Sequence, residues 1–360
     1  MKLIVNARFL TQPITGVQRY AIEISLSLKK MLGTQLSFVA PPNVIHNDLA
    51  DQFEVQIVGE RTGHLWEQID LLRFLRKNKS PLLINLCSTA PIFYNNQIVT
   101  HHDITYIRYP QSFSRKFTLL YKLLVPLMFK HSKKIITVSN FSQKEISLYY
   151  GIADEKFIIV PNAVDRHKFY PPIEYGESGR PQYFLAVSSH NFHKNFHGLI
   201  KAFLEASSHL DDIKLYIVGG ADIDSFKKID YGIDSKRNNS IHFLGRVDDT
   251  ELLQLYQNAI AFIFPSFYEG FGIPPLEAQA CGCPVVASNQ ASMPEILGES
   301  VLYFDPFSEN ELANLLVKVA KDEKLRSELR TMGIANISNY SWERSSEKLC
   351  LLIKDTLNSK

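Results

Sequence analysis

The sequence predicts an α/β protein of two domains, with strands and helices taking turns along the chain. Its 360 residues suit two domains of ordinary size. Short apolar runs bounded by turn residues alternate with helical stretches along the chain. The stretch 261–287 adds a strand, a glycine turn, a helix start and a second strand, which is half of a nucleotide-binding unit.

In chain order, Lys2–Val5 reads as the first strand. The turn after it carries Thr15-Gly16-Val17-Gln18-Arg19-Tyr20, and a helix with Ile22, Leu26 and Leu28 on its apolar side runs to about Met31. Ser37–Val39, Val55–Val58 and Leu82–Asn85 read as further strands, with a helix over about Leu65–Asn78. Ile98-Val99-Thr100 is a strand running into His101-His102-Asp103. Ligands sit at strand carboxyl ends in parallel α/β sheets, so this polar tip is a candidate site. The plain alternative is a histidine satisfied by the carboxylate beside it. Lys134–Val138 is the next strand, Ser139-Asn140-Phe141-Ser142 caps a helix from Gln143 onward, and Phe157–Val160 ends in Pro161-Asn162-Ala163-Val164-Asp165.

Pro171 to Pro181 reads as a linker, which gives domains over residues 1–172 and 173–340. Tyr183–Val187 opens the second, and the following turn carries His193-Lys194-Asn195. An exposed loop lysine is the plain reading of Lys194. Ile213–Val218 leads to Asp222-Ile223-Asp224. An Asp-x-Asp after a strand can hold a divalent cation and a diphosphate, although Asp224 serves equally as an N-cap. Ile241–Leu244 is a strand, Asp248-Asp249-Thr250-Glu251 starts a helix, and residues 310–321 and 322–336 read as surface helices. Ser341-Trp342-Glu343 opens the last helix.

Ala261–Phe264 is a buried strand ended by Pro265. Gly270 and Gly272 turn the chain, and a short helix is expected from about Pro275 to Cys281, since proline is tolerated in the first helical turn. Backbone N–H groups after the glycines, with the helix dipole behind them, can hold a phosphate. Glu269 precedes the turn and Glu277 lies in the helix, with seven residues between them. That arrangement suits a sugar nucleotide, one carboxylate for hydroxyls of the sugar and one for hydroxyls of the ribose. A mere turn and helix cap is the alternative.

Phe267-Tyr-Glu269-Gly270-Phe271-Gly272-Ile273-Pro-Pro-Leu-Glu277-Ala, then Gly282-x-Pro-Val-Val-Ala, Met293-Pro-Glu-Ile-Leu-Gly and Phe304-Asp305-Pro306, resembles the donor site of the retaining glycosyltransferases of family 4. The resemblance implies the GT-B architecture, two Rossmann-like domains facing a central cleft. The first would be the acceptor side, with the last helix (341–360) packed back on it, and the second would bind the nucleotide-sugar donor. It implies that Glu277 takes the ribose hydroxyls and Glu269 the sugar's 3- or 4-hydroxyl. Lys194, Gly16 and the turn Gly270–Ile273 would hold the diphosphate. His102 would contact the sugar, with Asp103 orienting its loop, and His101 stays open as the functional histidine one residue away. Two positions depart from the family: Ala163 replaces a glycine, and Ser188 stands where an arginine is frequent.

The activity so implied is metal-independent, retaining transfer of a hexose from a nucleoside diphosphate sugar, with no further cofactor. The Thr15-Gly-Val-x-Arg-Tyr and His101-His-Asp-Ile-Thr contexts are similar to bacterial mannosyltransferases, hence GDP-mannose as donor and a saccharide or polyprenyl-diphosphate-linked glycan of O-antigen or capsule assembly as acceptor. A GT-B nucleotide-sugar epimerase and a non-catalytic nucleotide-sugar binding protein stay open beside it. A Rossmann dehydrogenase is disfavoured, because no Gly-x-Gly-x-x-Gly follows the first strand.

With 45% apolar and 21% charged residues the composition is that of a soluble globular protein. A net charge of +2 makes no case for nucleic acid, and four scattered cysteines make none for a disulfide framework. Met1-Lys-Leu-Ile-Val reads as a strand rather than a signal peptide, and no apolar run reaches the ~20 residues that cross a bilayer. The expected compartment is the cytosol. From Arg108 to Lys144 there are eight Lys or Arg and no Asp or Glu, interleaved with Phe113, Phe117, Leu120, Leu124, Leu127 and Phe129. A core helix with a solvated basic side is the plain reading. The sharper one is a peripheral contact with the anionic inner face of the membrane.

Overall fold

The computed structural model describes residues 3–173, 182–220 and 238–358. The chain divides into two compact units, one made of Met1–Ile107, Ser114–Asn162 and Ser341–Lys360, the other of Arg108–Phe113 and Ala163–Tyr340. The division at Asn162/Ala163 falls earlier than the expected residue 172. Arg108–Phe113 also moves to the second unit. Side-chain contacts far along the chain explain that: Tyr109 lies parallel to Phe267, and Ser112 Oγ bonds both the backbone N–H and Nδ1 of His193.

The first unit holds seven parallel strands: β1 (Leu3–Asn6), β2 (Leu36–Ala40), β3 (Gln56–Ile57), β4 (Leu82–Asn85), β5 (Gln97–Thr100), β6 (Lys134–Thr137) and β7 (Phe157–Ile159). Their order is β3-β2-β1-β4-β5-β6-β7. The second holds β8 (Tyr183–Val187), β9 (Lys214–Val218), β10 (Ile241–Gly245), β11 (Ala261–Phe264), β12 (Val285–Ser288) and β13 (Leu302–Phe304), in the order β10-β9-β8-β11-β12-β13. Both are the doubly wound order in which the first strand of a unit sits centrally and the chain reverses direction across the sheet beside it. The fully apolar strands follow from this layering, since helices cover both faces of such a sheet. β1 and β4 are buried at every position, whereas the two-residue edge strand β3 is exposed.

The helix Gly16–Leu32 starts in a capping box between Thr15 and Gln18. The last helix, Trp342–Asn358, packs beside it, with Trp342 meeting Tyr20 at a ring distance of 6.0 Å and Ser345 Oγ donating to the Pro161 carbonyl. In the second unit Phe184, Leu199, Phe203, Ile217, Ile263 and Leu316 form the centre of one core. Glu309–Lys321, expected as a surface helix, contributes Leu312, Leu316 and Val319 to that core. Cys281 and Cys283 are buried free thiols.

Candidate active site

In the second sheet the winding reverses between β8 and β11, and a doubly wound sheet takes ligands at the carboxyl ends of strands around such a point. The loops that leave those two strands carry the predicted residues. They are joined by a backbone bond from Phe267 N–H to the His193 carbonyl, 2.8 Å. The structure then pairs two predicted side chains directly: Lys194 Nζ donates to Glu269 Oε1 at 2.7 Å, with only 15% and 12% of the side chains exposed. Ser292 Oγ donates to the Glu269 carbonyl and steadies that turn.

Asn195, the neighbour of Lys194, has a structural task. It adopts a left-handed φ of 53°, accepts the N–H of Gly198 as the cap of helix Phe196–Ala206, and donates through Nδ2 to the Pro306 carbonyl at 2.9 Å. The cap fixes where the chain turns, and so where the lysine before it stands.

In the turn, Gly272 and not Gly270 carries the left-handed conformation, with φ +88°. A side chain at Gly272 would be strained by that φ, and its Cβ, 2.7 Å from Met293 Cε and 3.3 Å from the Phe264 ring, would have to push the methionine methyl aside. Gly272 caps a helix of Ile273–Ala280, which starts two residues earlier than expected and ends one earlier. Prolines 274 and 275 lack N–H groups. Donors for an anion are therefore concentrated in Phe271, Gly272 and Ile273, ahead of the helix's own first turn.

Glu277 is 6% exposed on the same helix. Tyr256, in the helix Asp249–Asn258, donates its hydroxyl to Glu277 Oε2 at 3.2 Å. Burial first, and then the Glu277 charge, push the Tyr256 hydroxyl well above its ordinary range, so it stays a proton donor. Sequence reasoning missed this residue, because an aromatic at helical spacing reads as core.

The first unit carries the other candidates. Gly16 is the exposed first residue of its helix, where N–H groups are unsatisfied. His101 and His102 leave the end of β5 in opposite directions. His101 is fully buried against Tyr106 and Phe129, and burial lowers its pKa to about 4. His102 lies edge-on to Tyr20 at 4.9 Å, and its Nε2 is 3.3 Å from the Leu86 carbonyl. A carbonyl only accepts, so Nε2 carries the proton. Burial also holds His102 below the usual histidine range, which leaves Nδ1 as an acceptor. Asp103 Oδ1 accepts from Thr105 N–H (2.8 Å) and Oγ1 (2.6 Å), capping the short helix Thr105–Arg108. Beside β1 and β4, an Arg8–Glu67 ion pair lies buried with Asn6, Asn85 and Thr89. Asp222 and Asp224, the alternative metal pair, lie outside the described residues.

Comparison with known proteins agrees with this architecture. The family described as glycosyl transferases group 1 matches residues 172–335, and Glycosyltransferase Family 4 matches residues 14–168. The chain is similar to the O-antigen chain mannosyltransferase RfbU of Salmonella typhimurium, 28% identical over 323 residues that span 85% of this chain and 88% of that one. It is also similar to the O-antigen chain mannosyltransferase B of Escherichia coli, 26% identical over 95% of this chain and 97% of that one. Among solved structures, sucrose-phosphate synthase from Thermosynechococcus elongatus superposes with a TM-score of 0.77 at 18% identity, each chain covered in full. The lipopolysaccharide glycosyltransferase WaaG superposes with a TM-score of 0.72 at 15% identity, covering 98% of this chain and 99% of that one. Two matched domains with two doubly wound sheets beneath them leave one assignment: the chain belongs to the group 1 and Family 4 glycosyltransferases, of GT-B architecture.

Proposed function

We propose that the chain transfers mannose, with retention, from GDP-mannose to a lipid-linked glycan of O-antigen or a related surface polysaccharide. The observation that carries this reading is the Lys194–Glu269 pair at the carboxyl end of the second sheet, beside the Phe271–Ile273 N–H groups. The names of the two long relatives favour mannose. In the reaction the bond from the sugar's anomeric carbon to the diphosphate breaks and one to the acceptor oxygen forms. The acceptor's proton passes to the departing phosphate oxygen. Lys194, with the N–H groups of Phe271–Ile273, stabilises the charge that collects on the diphosphate, a preorganised electrostatic site, and the N–H of Gly16 in the first unit is a further donor. Glu277 holds the ribose. Glu269 holds the sugar's 3- or 4-hydroxyl; in the first unit, His102 Nδ1 is an acceptor for a sugar hydroxyl and Asp103 shapes the loop that presents it. Incubating the purified protein with radiolabelled GDP-mannose and a polyprenyl-diphosphate-linked glycan should give labelled glycolipid. An epimerised nucleotide sugar, or unchanged donor, would replace this reading.

The two glutamates should separate. A hydrogen bond to a charged group is worth ~1.5–3 kcal/mol, so Glu277→Ala should weaken nucleoside diphosphate binding by roughly ten- to a hundredfold. Glu269→Ala should leave that binding nearly intact and lower turnover, since of the donor's groups Glu269 meets only the transferred sugar, its bond to Lys194 aside. Calorimetry with free nucleotide and steady-state rates on both variants decide between these roles and their reverse.

Metal independence is the second proposal, because Lys194 and the backbone donors supply the positive field a metal would otherwise give. Activity should survive excess EDTA. Loss on chelation with recovery on adding manganese would move the diphosphate site to Asp222 and Asp224.

The third concerns location. No helix among the described residues is long and apolar enough to cross a membrane. The helix Arg115–Lys130, however, exposes Leu119 (63%), Leu123 (60%) and Leu127 along one side, next to Arg115, Lys116, Lys122 and Lys130. Apolar side chains four apart with lysines around them suit the surface of an anionic leaflet, each cation contributing ~1 kcal/mol. Replacing those four cations by glutamate should abolish flotation with anionic liposomes at low salt. Unchanged, salt-insensitive flotation would remove the idea.

A further inference from the structure

We propose that Tyr256 is the positioning residue through which the donor site distinguishes ribonucleotides from deoxyribonucleotides. The inference rests on the reading of Glu277 as the ribose acceptor of hydrogen bonds. Tyr256 and Glu277 come from different helices, Asp249–Asn258 and Ile273–Ala280, and meet in the interior through one hydrogen bond of 3.2 Å. Tyr256 has no exposed surface, so its hydroxyl is not available to a ligand. Its ring is wedged edge-on between Phe169 (6.0 Å) and Phe262 of β11 (5.4 Å), which leaves the hydroxyl little freedom. An apolar setting of this kind does not need a hydroxyl. A buried hydroxyl costs free energy unless it is bonded, and this one is bonded to a carboxylate.

A carboxylate side chain keeps rotational freedom about its last torsions, whereas recognition of a vicinal diol needs its oxygens held in one plane. Fixing Oε2 from the protein side sets that plane. The donated bond also occupies one of the carboxylate's several acceptor positions with a neutral donor, so Glu277 remains an acceptor toward the ribose. Helix Ile273–Ala280 is eight residues long and carries both Glu277 and, at its start, the Ile273 N–H. Tyr256 therefore ties the ribose-facing carboxylate to the neighbouring helix without touching the nucleotide.

Tyr256→Phe deletes one oxygen and keeps the ring. The test measures, by calorimetry, the affinity of GDP and UDP and of their 2′-deoxy and 3′-deoxy forms for the full-length parent protein and the variant. The parent should prefer the ribonucleotide by roughly tenfold or more, the scale of one charge-assisted hydrogen bond. In Tyr256→Phe that ratio should shrink to within about threefold, with a melting temperature close to the parent's. A ratio of affinities is unmoved by a general loss of stability, so a merely structural role predicts no change in it. If the parent discriminates and Tyr256→Phe discriminates equally, the inference is overturned while the role of Glu277 stands. If the parent itself does not discriminate, the ribose reading of Glu277 fails and this inference fails with it. Tyr256→Leu, which also lacks the hydroxyl, gives the same comparison if the phenylalanine variant does not fold.

Discussion

Replacing Lys194 by methionine should lower kcat/KM by about a hundred- to a thousandfold, the scale on which loss of one preorganised donor to a developing anion is felt. The variant also leaves the Glu269 carboxylate largely buried with its cation gone, so part of the effect would be lost stability. The double variant Lys194→Met/Glu269→Gln separates the two. It should regain the parent's melting temperature, because no charge is left without its partner, and it should stay as slow as the single variant or slower. Steady-state rates with saturating acceptor, set beside thermal melts, check both halves. A loss of less than about tenfold in the single variant would mean that another group neutralises the diphosphate.

Removing Glu67 should have the largest effect on stability. Its Oε1 accepts from Asn6 Nδ2 at 2.9 Å and from Arg8 Nε at 3.3 Å, and Arg8 reaches Thr89 Oγ1 at 2.7 Å. The two side chains are 1% and 8% exposed. Glu67→Leu leaves the guanidinium buried without its anion and should cost about 3–5 kcal/mol, while Arg8→Met/Glu67→Leu should recover most of that. The same pair makes an acid-sensitivity prediction. Burial acts to raise the Glu67 carboxyl, but the Arg8 charge and the nearby His64 ring, 3.6 Å away, outweigh it and hold the pKa at about 2. A carboxyl depressed on folding stabilises the native state above its unfolded pKa. Its contribution is lost as pH falls from about 4.5 toward 2. Melting temperature should fall over that window in the parent and fall less in Arg8→Met/Glu67→Leu.

The sheets were legible because strands buried on both faces are written as short apolar runs, and the runs at Leu82–Asn85, Tyr183–Val187 and Ala261–Phe264 fall on observed strands unchanged. The turn 269–277 was legible for a different reason. Proline is confined to one φ and glycine alone takes the left-handed conformation readily, so the order of Gly272 and the two prolines almost dictates a local shape. Contacts made across long stretches of chain were not legible. Arg108–Phe113 belongs to the second unit through Tyr109 on Phe267 and Ser112 on His193, and neither contact leaves a trace in local spacing. Nothing in local spacing marks Arg8, and only the packing of the first unit makes it a buried cation. His101 and His102 could not be told apart in sequence, since which of them points inward depends on where β5 ends.

The paired prolines of the Ile273–Ala280 helix have a consequence beyond the donors they remove. A helix of two turns is marginal by itself, and its first turn is the part that would come and go on its own timescale. Proline has one φ available, close to the helical value, so the turn behind Phe271–Ile273 has little disorder to lose. Ordering flexible groups on binding subtracts from affinity, and here that subtraction was made when the chain folded. A substitution such as Pro274→Ala restores a backbone N–H at the helix start and at the same time restores the fraying. Its effect on a bound diphosphate is thus the balance of one added donor against the entropy of one loosened turn.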